Sequence, residues 1–443
     1  MGRESIKYLK YSVFAFASAG LIACSEAANE PAPAADTAPA AVETAADTAP
    51  VFTPEEITAL EARMSKFVAD GEATGISTML VHKGEVVSRM TDGKLRVSDD
   101  APITDDSIYR IYSMTKPITG LGMMMLYEEG KFSLDDPVTK HIPEFENLKA
   151  LAGTNEDGSP VIVDATRPAT MRELLSHTAG FAYGLGGDDY ANDQFREQGV
   201  LSSPDLETFI DKVAGIPLLY QPGEQWYYSA AVDVQGYIIE KLSDQSLGEY
   251  FDEKIFTPLG MTDTGFYVPE EDYDRFGQVF AFSEKAGGLV PLDRPNYAFK
   301  KETVGMESGG GGLVGTIDDY ARFCQLMVNE GELDGVRLLK PETVELMRTN
   351  VLSSDMKMST TGNIDSVDES GMGFGLDFGV IMDPEKVGID YGKGTYFWGG
   401  AAGTWFWIDP VNDLYFIGMI QRMSAPGDFR AESAKLTYEA LNN

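Results

Sequence analysis

The chain has 443 residues, which is long enough for a large buried core and suggests more than one structural unit. Its 70 acidic and 35 basic residues give a formal net charge of −35, which argues against a nucleic-acid-binding surface because phosphate contacts need a basic face. Two cysteines cannot build a disulfide framework, and three histidines leave little room for a histidine-built metal site. We therefore expect a packed globular protein without a metal or another cofactor.

The first 23 residues are typical of a secretory signal peptide. Three basic residues precede an apolar run over 11–21 that is too short to span a membrane. The run ends in Leu21-Ile22-Ala23-Cys24, which resembles the bacterial lipobox, whose cysteine is lipidated and becomes the first residue of the mature protein. We therefore expect a lipid-anchored, periplasm-facing protein of the bacterial cell envelope, with an ordinary cleaved signal as the alternative. Ser25 stands where an aspartate commonly directs retention in the inner membrane, which favours the outer membrane.

Residues 24–52 predict a disordered tether. The segment is rich in alanine and proline, and the unit Ala-Asp-Thr-Ala-Pro occurs at 35–39 and again at 46–50. Such a composition cannot bury enough apolar surface to offset the entropy lost on ordering. The folded body therefore begins near residue 53.

The body opens with a helix and a hairpin. Thr53-Pro54-Glu55-Glu56 combines an N-cap residue, an early proline and early acids, and the helix should continue to about Gly71. Segments 76–82 and 85–90 alternate as strands do, with Lys83-Gly84 as their turn.

The middle of the body is predicted to be helical and its end to return to strands. Helices are expected over 113–129 and 316–330, with helices and loops between them. Strands are expected at 394–397, 403–409 and 413–421, before a final helix over 428–441. We therefore predict an α/β part made of about 53–117 and 316–443, with an all-α part of about 118–315 inserted between them.

Ser113 is the candidate nucleophile. It stands in Tyr112-Ser113-Met114-Thr115-Lys116, directly before an apolar helical stretch. Positions i and i+3 share one face of a helix, so Lys116 can present its amine to the Ser113 hydroxyl and take its proton. The free amides at the start of the helix could also donate to an oxyanion.

A second Ser-x-x-Lys occurs at Ser354-Asp355-Met356-Lys357. It lies in a polar stretch with no apolar helix behind it, so we interpret it as a solvated loop. The motif alone is weak, because a chain of this size contains about one by chance.

Tyr228 is the candidate partner of Ser113. It follows Pro222-Gly223 and precedes an apolar-periodic helix over 232–242. A phenol at such a junction, near Lys116, could act as a base toward Ser113 and as an acid toward the leaving group.

These motifs resemble those of the serine β-lactamase and penicillin-binding-protein superfamily. The matching elements are Ser113-Met114-Thr115-Lys116, Tyr228-Ser229 after Pro-Gly, and Trp398-Gly399-Gly400 before a strand. They are most similar to the class C-like branch and, within it, to the family VIII carboxylesterases. The resemblance covers about 55–440 and implies a β-lactamase-like (transpeptidase-like) fold, in which helices flank an antiparallel sheet and a helical domain is inserted.

The resemblance also implies roles for individual residues. Ser113 would be the acylated nucleophile, and Lys116 and Tyr228 would share proton transfer, in an order that is disputed for such enzymes. The backbone amides of Ser113 and Ala401 would form the oxyanion hole. Trp398, with Gly399 and Gly400, would contact the substrate.

Departures from the family pattern favour an esterase. β-Lactamases usually have Lys-Thr-Gly where this chain has Trp398-Gly399-Gly400, so a flat apolar side chain replaces a cation. Ala230 stands where β-lactamases usually have an asparagine. A literal Tyr-x-Asn at Tyr190-Ala191-Asn192 lacks the Pro-Gly approach and the following apolar helix, so we treat it as incidental.

Other mechanisms fit the sequence poorly. The chain has no Gly-x-Ser-x-Gly, and His82, His141 and His177 are not spaced for zinc. His177 is interpreted as the start of a tight turn. The glycine run 309–312 lacks the end of a phosphate-binding loop and should instead let the backbone pass close to the site.

The sequence therefore predicts a carboxylesterase that hydrolyses short-chain or small neutral esters through a Ser113 acyl-enzyme. The alternatives are a β-lactamase or D-amino-acid peptidase acting on cell-wall-like substrates, an acyltransferase, and an inactive binding lipoprotein. The expected partner is a small-molecule ester or amide, with no nucleic acid and with membrane contact only through the anchor on Cys24. The oligomeric state is left open.

Overall fold

The computed structural model describes residues 52–292, 299–359, 365–425 and 428–441. The predicted signal peptide, Cys24 and the predicted tether up to residue 51 lie outside the described residues.

A seven-stranded antiparallel sheet is the centre of the body. Its strands are, in chain order, β1 Gly75–His82, β2 Glu85–Gly93, β3 Met372–Phe374, β4 Gly379–Ile381, β5 Tyr396–Gly399, β6 Trp405–Asp409 and β7 Leu414–Met419. The order across the sheet is β3-β4-β5-β6-β7-β1-β2. The N-terminal hairpin therefore completes a sheet that is otherwise built from the C-terminal part of the chain.

The register between β1 and β7 joins the two parts. Thr78 lies opposite Gly418, and Leu80 lies opposite Phe416. A side chain at position 418 would overlap the ring of Trp405, so the glycine lets that indole lie flat across the sheet.

Five helices have twelve or more residues in the part of the chain that the structure describes. They are α1 Pro54–Ala69, α2 Thr115–Glu128, α3 Ala231–Ser243, α4 Ile317–Val328 and α5 Phe429–Leu441. The predicted start of α1 is confirmed, because Thr53 and Glu56 form a capping box in which each side chain accepts from the other's backbone amide.

Alternation along the central strands explains why both faces of the sheet are covered. Trp405 and Trp407 project from β6 toward α1 and α5, and both indole N–H groups donate to Ser433 Oγ, at 3.1 and 3.2 Å. Phe406 projects from the other face and packs against Tyr320 of α4, with ring centroids 5.2 Å apart. The sheet is therefore enclosed between two helical layers.

The segment between the two sheet portions consists mainly of short helices and small two- or three-stranded pairings. Its shorter helices are Met171–Leu175, Tyr190–Glu197, Leu206–Ala214, Leu247–Phe251, Asp252–Phe256, Thr257–Leu259, Pro341–Met347 and Val367–Ser370, and Pro384–Val387 follows β4. Its 3₁₀ turns are Tyr112–Met114, Val138–Lys140, Pro143–Phe145, Val200–Ser202 and Glu270–Arg275. Its minor strands are Tyr109–Arg110, Lys149–Thr154, Pro160–Asp164, Trp226–Tyr227, Phe280–Ser283, Gly288–Pro291, Val314–Gly315, Glu332–Leu333, Val336–Arg337, Lys357–Ser359 and Asp365–Ser366.

The prediction that about 118–315 is all-α is wrong, because two antiparallel hairpins lie within it, Lys149–Thr154 with Pro160–Asp164 and Phe280–Ser283 with Gly288–Pro291. The predicted antiparallel sheet with flanking helices is confirmed, with two strands added to that sheet. Strands β3 and β4 were not predicted, because each has three residues and includes a glycine. Such short segments carry no periodic signal and become strands through their pairing with neighbours.

Candidate active site

Ser113 lies in a single 3₁₀ turn, Tyr112–Met114, that leads directly into α2. Tyr112 has a φ of +45°, a left-handed backbone that a residue with a bulky side chain rarely adopts. Such strained positions concentrate at functional sites. The turn leaves Ser113 half-buried, whereas the α2 residues that follow it up to Met124 are buried.

The structure brings Ser113, Lys116 and Tyr228 together. Tyr228 Oη donates to Ser113 Oγ at 2.6 Å, across 115 residues of sequence. Lys116 Nζ donates to the same Oγ at 3.4 Å. Tyr228 reaches this position from the short segment between the strand Trp226–Tyr227 and α3. One hydroxyl therefore has two groups beside it that can exchange protons.

Lys116 is fully buried and held by more than Ser113. Its Nζ donates to the Gly310 carbonyl oxygen at 2.6 Å and to Tyr183 Oη at 3.2 Å. The same Nζ lies 4.6 Å from the ring centroid of Tyr228. The prediction that the glycine run lets backbone approach the site is confirmed, because a side chain at Gly310 would overlap the Asp233 carboxyl group.

Two fully buried carboxyl groups lie near Lys116. Asp233, on α3, accepts from the Gly310 amide at 3.0 Å and from the Ser308 hydroxyl. Burial raises the pKa of Asp233, while Lys116, Ser308 and the Gly310 amide oppose the rise. Burial raises the pKa of Asp377 well above its usual range, and only Gln235 and Lys116 oppose that rise.

An aromatic wall, formed by Trp226, Tyr228, Phe374 and Trp398, borders Ser113. The Tyr228 and Trp398 ring centroids are 5.6 Å apart, and Phe374 meets Trp398 edge-on at 5.4 Å. Trp398 itself is half-buried and comes from the end of β5. The wall is apolar where a Lys-Thr-Gly sequence would place a cation.

The end of β5 lies against the backbone segment that leads into the Ser113 turn. Thr404 Oγ1 donates to the Ile111 carbonyl oxygen at 3.2 Å, and a side chain at Gly400 would overlap that same carbonyl. Gly399 ends β5, and Ala401 is exposed in the turn that follows. This geometry places the Ala401 turn beside the Ser113 segment, and the oxyanion-hole role of the two amides stays a prediction.

The two motifs that were set aside in the sequence, Tyr190-Ala191-Asn192 and Ser354-Asp355-Met356-Lys357, have other structural roles. Asn192 is buried, and its Oδ1 accepts from the Tyr183 and Gly184 amides at 3.1 and 2.8 Å, so it shapes the loop that presents Tyr183. Ser354 and Lys357 are exposed, as expected for a solvated segment. However, Lys357–Ser359 is a strand that runs parallel to Trp226–Tyr227, so the segment is more ordered than a loop.

Three residues at this site were not recognised from sequence, namely Tyr183, Asp233 and Asp377. A fourth, His177, was predicted only as the start of a turn, and its contact with Tyr228 was not foreseen. Asp233 carried a signal, because an acid inside the apolar-periodic stretch 232–242 is expected to be buried and bonded. The others are brought to Lys116 and Tyr228 only by folding.

No group of three or more histidine, cysteine or acidic side chains suited to a metal ion occurs among the described residues. Within the same residues, no helix is both long enough and apolar enough to cross a membrane.

Comparison with known proteins agrees with this geometry. A family model described as Beta-lactamase matches residues 60–439. Protein Rv1367c of Mycobacterium tuberculosis (strain ATCC 25618 / H37Rv) is 34% identical over 358 residues, covering 79% of this chain and 86% of that protein. Esterase EstB of Burkholderia gladioli is 30% identical over 365 residues, covering 78% and 86%.

Among solved structures, EstCE1, described as a hydrolase with promiscuous acyltransferase activity, has a TM-score of 0.72 and 25% identity. The match covers 87% of this chain and 99% of EstCE1. The chain therefore belongs to the beta-lactamase family, and the predicted superfamily and fold are confirmed. This family consists of serine hydrolases and related acyl-transferring enzymes.

Proposed function

We propose that this protein is a serine carboxylesterase that hydrolyses short-chain or small neutral esters. One observation carries the proposal: Ser113 Oγ contacts Tyr228 Oη at 2.6 Å and Lys116 Nζ at 3.4 Å. The name of its relative, Esterase EstB, supports the same activity.

The reaction proceeds through an acyl-enzyme. Ser113 Oγ attacks the ester carbonyl while its proton passes to the Tyr228–Lys116 pair, and the amides of Ser113 and Ala401 donate to the oxyanion. When the tetrahedral intermediate collapses, the ester C–O bond breaks and the pair returns the proton to the leaving alcohol. Water then attacks the acyl group through the same pair, which releases the acid and restores the Ser113 hydroxyl.

The substrate class follows from the aromatic wall. The half-buried Trp398, backed by the buried Phe374, offers a flat apolar surface, which favours an uncharged acyl or alcohol group over a β-lactam carboxylate. The site is buried on the side of Lys116, so the substrate approaches from the half-buried face of Ser113 and Trp398.

The proposed location is the bacterial cell envelope. The lipobox-like Leu21-Ile22-Ala23-Cys24 supports a lipid anchor that leaves the enzyme facing the periplasm, with the outer membrane favoured. The proposed partner is therefore a small-molecule ester reaching the periplasm, and the anchor provides the contact with the membrane.

The test is one kinetic panel of p-nitrophenyl esters of increasing acyl length, measured beside nitrocefin. We expect kcat/KM to be highest for short acyl chains and Ser113→Ala to lose at least about 10³-fold. A fluorophosphonate probe should label the parent and leave Ser113→Ala unlabelled. Rapid nitrocefin turnover with poor ester turnover would instead identify a β-lactamase or peptidase. A parent with no turnover and no labelling would identify a binding protein.

Acyl transfer is a second candidate, because EstCE1 is described as having promiscuous acyltransferase activity. The acyl-enzyme is common to both reactions, and they differ only in the acceptor. Adding a small alcohol to the ester assay distinguishes them: a new ester product at the expense of free acid indicates transfer, and unchanged acid release indicates hydrolysis.

A further inference from the structure

His177 is a fully buried histidine that the proposed mechanism does not use. It follows the short helix Met171–Leu175 and has a φ of +58°. Its Nε2 has no hydrogen-bond partner among the described residues, although the side chain is buried on all sides. A buried, strained and partly unsatisfied side chain next to a candidate active site calls for an explanation.

The contacts of His177 enclose Tyr228 on both sides. The His177 carbonyl oxygen accepts from the Tyr227 amide at 3.0 Å. His177 Nδ1 is hydrogen-bonded to Ser229 Oγ at 3.0 Å. The imidazole also packs against the Tyr228 ring, with centroids 5.5 Å apart and planes inclined by 31°. One residue therefore holds both chain neighbours of Tyr228 and the face of its ring.

Ser229 Oγ links the His177 imidazole to the backbone at the start of α3. Ser229 Oγ accepts from the Ala231 amide at 3.2 Å, so its own proton is available to donate to His177 Nδ1. When Ser229 donates to Nδ1, the imidazole carries its proton on Nε2, which lies 3.8 Å from Asp377 Oδ1. Burial, and then the Lys116 charge, lower the pKa of His177 well below its usual value, which agrees with a neutral ring.

Ser229, His177 and Asp377 form a sequence of contacts that superficially resembles a hydrolytic triad. In such a triad the serine contacts Nε2 and the carboxylate contacts Nδ1, which is the reverse of this arrangement. Ser229 is only 2% exposed, so no substrate can reach its hydroxyl. Ser229 is therefore not positioned as a nucleophile.

We propose that His177 is a positioning residue that holds the Tyr228 phenol on Ser113. This inference rests on the proposed function of Ser113 as the nucleophile. The 2.6 Å contact between Tyr228 Oη and Ser113 Oγ requires the phenol to keep one orientation, and His177 fixes the backbone before it, the side chain after it and one ring face. Losing that support misplaces the proton-transferring group and leaves the substrate pocket in place.

The test compares two substitutions of one residue in the full-length chain. His177→Leu replaces the imidazole by an apolar side chain of similar bulk and removes the hydrogen bond to Ser229. His177→Asn places an amide at the position of Nδ1, and asparagine also tolerates the left-handed backbone. We expect His177→Leu to lower kcat for a short p-nitrophenyl ester by about 100-fold with KM changed by less than about threefold. His177→Asn should recover at least about tenfold of that loss.

His141→Leu is the matched control, because His141 contacts Phe132 and lies outside the Tyr228 cluster. Its kcat should equal that of the parent. If His177→Leu is insoluble, Ser229→Ala removes the same hydrogen bond from the other side and should lower kcat in the same way. A folded His177→Leu or Ser229→Ala with parental kcat would overturn the proposal, and so would equal losses in His177→Leu and His177→Asn.

The rate of Ser113 labelling by a fluorophosphonate probe separates this proposal from the proposed function. Labelling requires an activated Ser113 and does not depend on the natural ester. A parent that is not labelled contradicts the role of Ser113 itself. A labelled parent with an equally labelled His177→Leu contradicts only the role of His177, and slow labelling restored by His177→Asn supports it.

Discussion

Asp233 and Asp377 are both fully buried near Lys116, yet their hydrogen bonds differ. Asp233 accepts two hydrogen bonds, one of them from the same Gly310 peptide whose carbonyl oxygen accepts from Lys116. Asp377 accepts one, from Gln235 at 3.1 Å, and in both carboxyl groups Oδ2 has no partner among the described residues. A buried carboxylate is stable only when it is paired and hydrogen-bonded, so we infer that Asp233 is the ionised member and Asp377 the neutral one.

Asn substitutions should therefore affect the two positions differently. Asp233→Asn keeps an acceptor for Gly310 but removes the charge beside Lys116, and we expect kcat/KM to fall about tenfold or more, equivalent to about 1.4 kcal/mol or more. Asp377→Asn replaces a neutral acid by a neutral amide at a left-handed position that asparagine tolerates, so kcat/KM should change by less than about threefold. Steady-state ester hydrolysis at pH 7.5 measures both, and equal losses would contradict the assignment of charge.

At the scale of elements, hydrogen bonds of the Asp319 side chain connect the start of α4 to the loop at Asp263 and Thr264. Thr316 caps the helix by accepting from the Asp319 amide at 3.2 Å. Asp319 Oδ2 then accepts from the Asp263 amide and the Thr264 hydroxyl, both at 2.8 Å. Burial raises the pKa of Asp319 from 3.8 to about 6, against the effect of those hydrogen bonds.

Because its pKa is raised, the ionised Asp319 side chain lowers the free energy of unfolding at neutral pH. The native state binds the Asp319 proton more tightly than the unfolded chain does. The stability that this protonation contributes is therefore fully present below pH 3.8 and is lost as the pH rises through about 6. Asp319→Asn retains the acceptor and should raise the free energy of unfolding by about 1–2 kcal/mol at pH 8, after a small loss of helix-dipole stabilisation. Urea titrations should show a smaller gain at pH 5.

Asp318→Asn is the control for this prediction. Asp318 is in the same first turn but is exposed and pairs with Arg89 at 2.6 Å, so its removal should not stabilise the protein at pH 8. A gain for Asp319→Asn that is the same at pH 5 and pH 8 would show that burial of the charge is not its cause.

At the scale of the whole molecule, the acidic chain has a family-defining body over 60–439 and an N-terminal segment that we propose to be a lipid anchor. Lipidation of Cys24 would leave Cys324 as the single thiol of the mature protein. Cys324 is fully buried on α4, and burial raises its pKa well above the usual value, so it is an unreactive core thiol.

Cysteine substitutions therefore test the anchor. When the full chain is expressed in a bacterial host, we expect it to incorporate radiolabelled palmitate and to enter the detergent phase of a Triton X-114 partition. Cys24→Ala should lose both properties, and Cys324→Ala should keep both. Palmitate incorporation into Cys24→Ala would contradict the anchor, as would its absence from the parent.

Local sequence signals determined much of the fold and half of the site. Capping residues, periodicity and turns located α1, α4 and the β1–β2 hairpin, because these features depend on neighbouring residues. The i, i+3 spacing of Ser113 and Lys116 is local in the same sense, since one helical turn brings the two side chains together.

Only the tertiary structure decided which distant groups surround that pair. Tyr228 was predicted from its loop-to-helix position, but its contact with Ser113 spans 115 residues. Tyr183, His177, Asp233 and Asp377 lie on separate segments, and their closeness to Lys116 and Tyr228 follows from packing around α2 and α3. The sequence by itself therefore predicted Ser113 as the nucleophile, the five long helices and five of the seven strands of the main sheet. Folding determined the buried charges and the support of Tyr228, because electrostatics and positioning depend on distance in space.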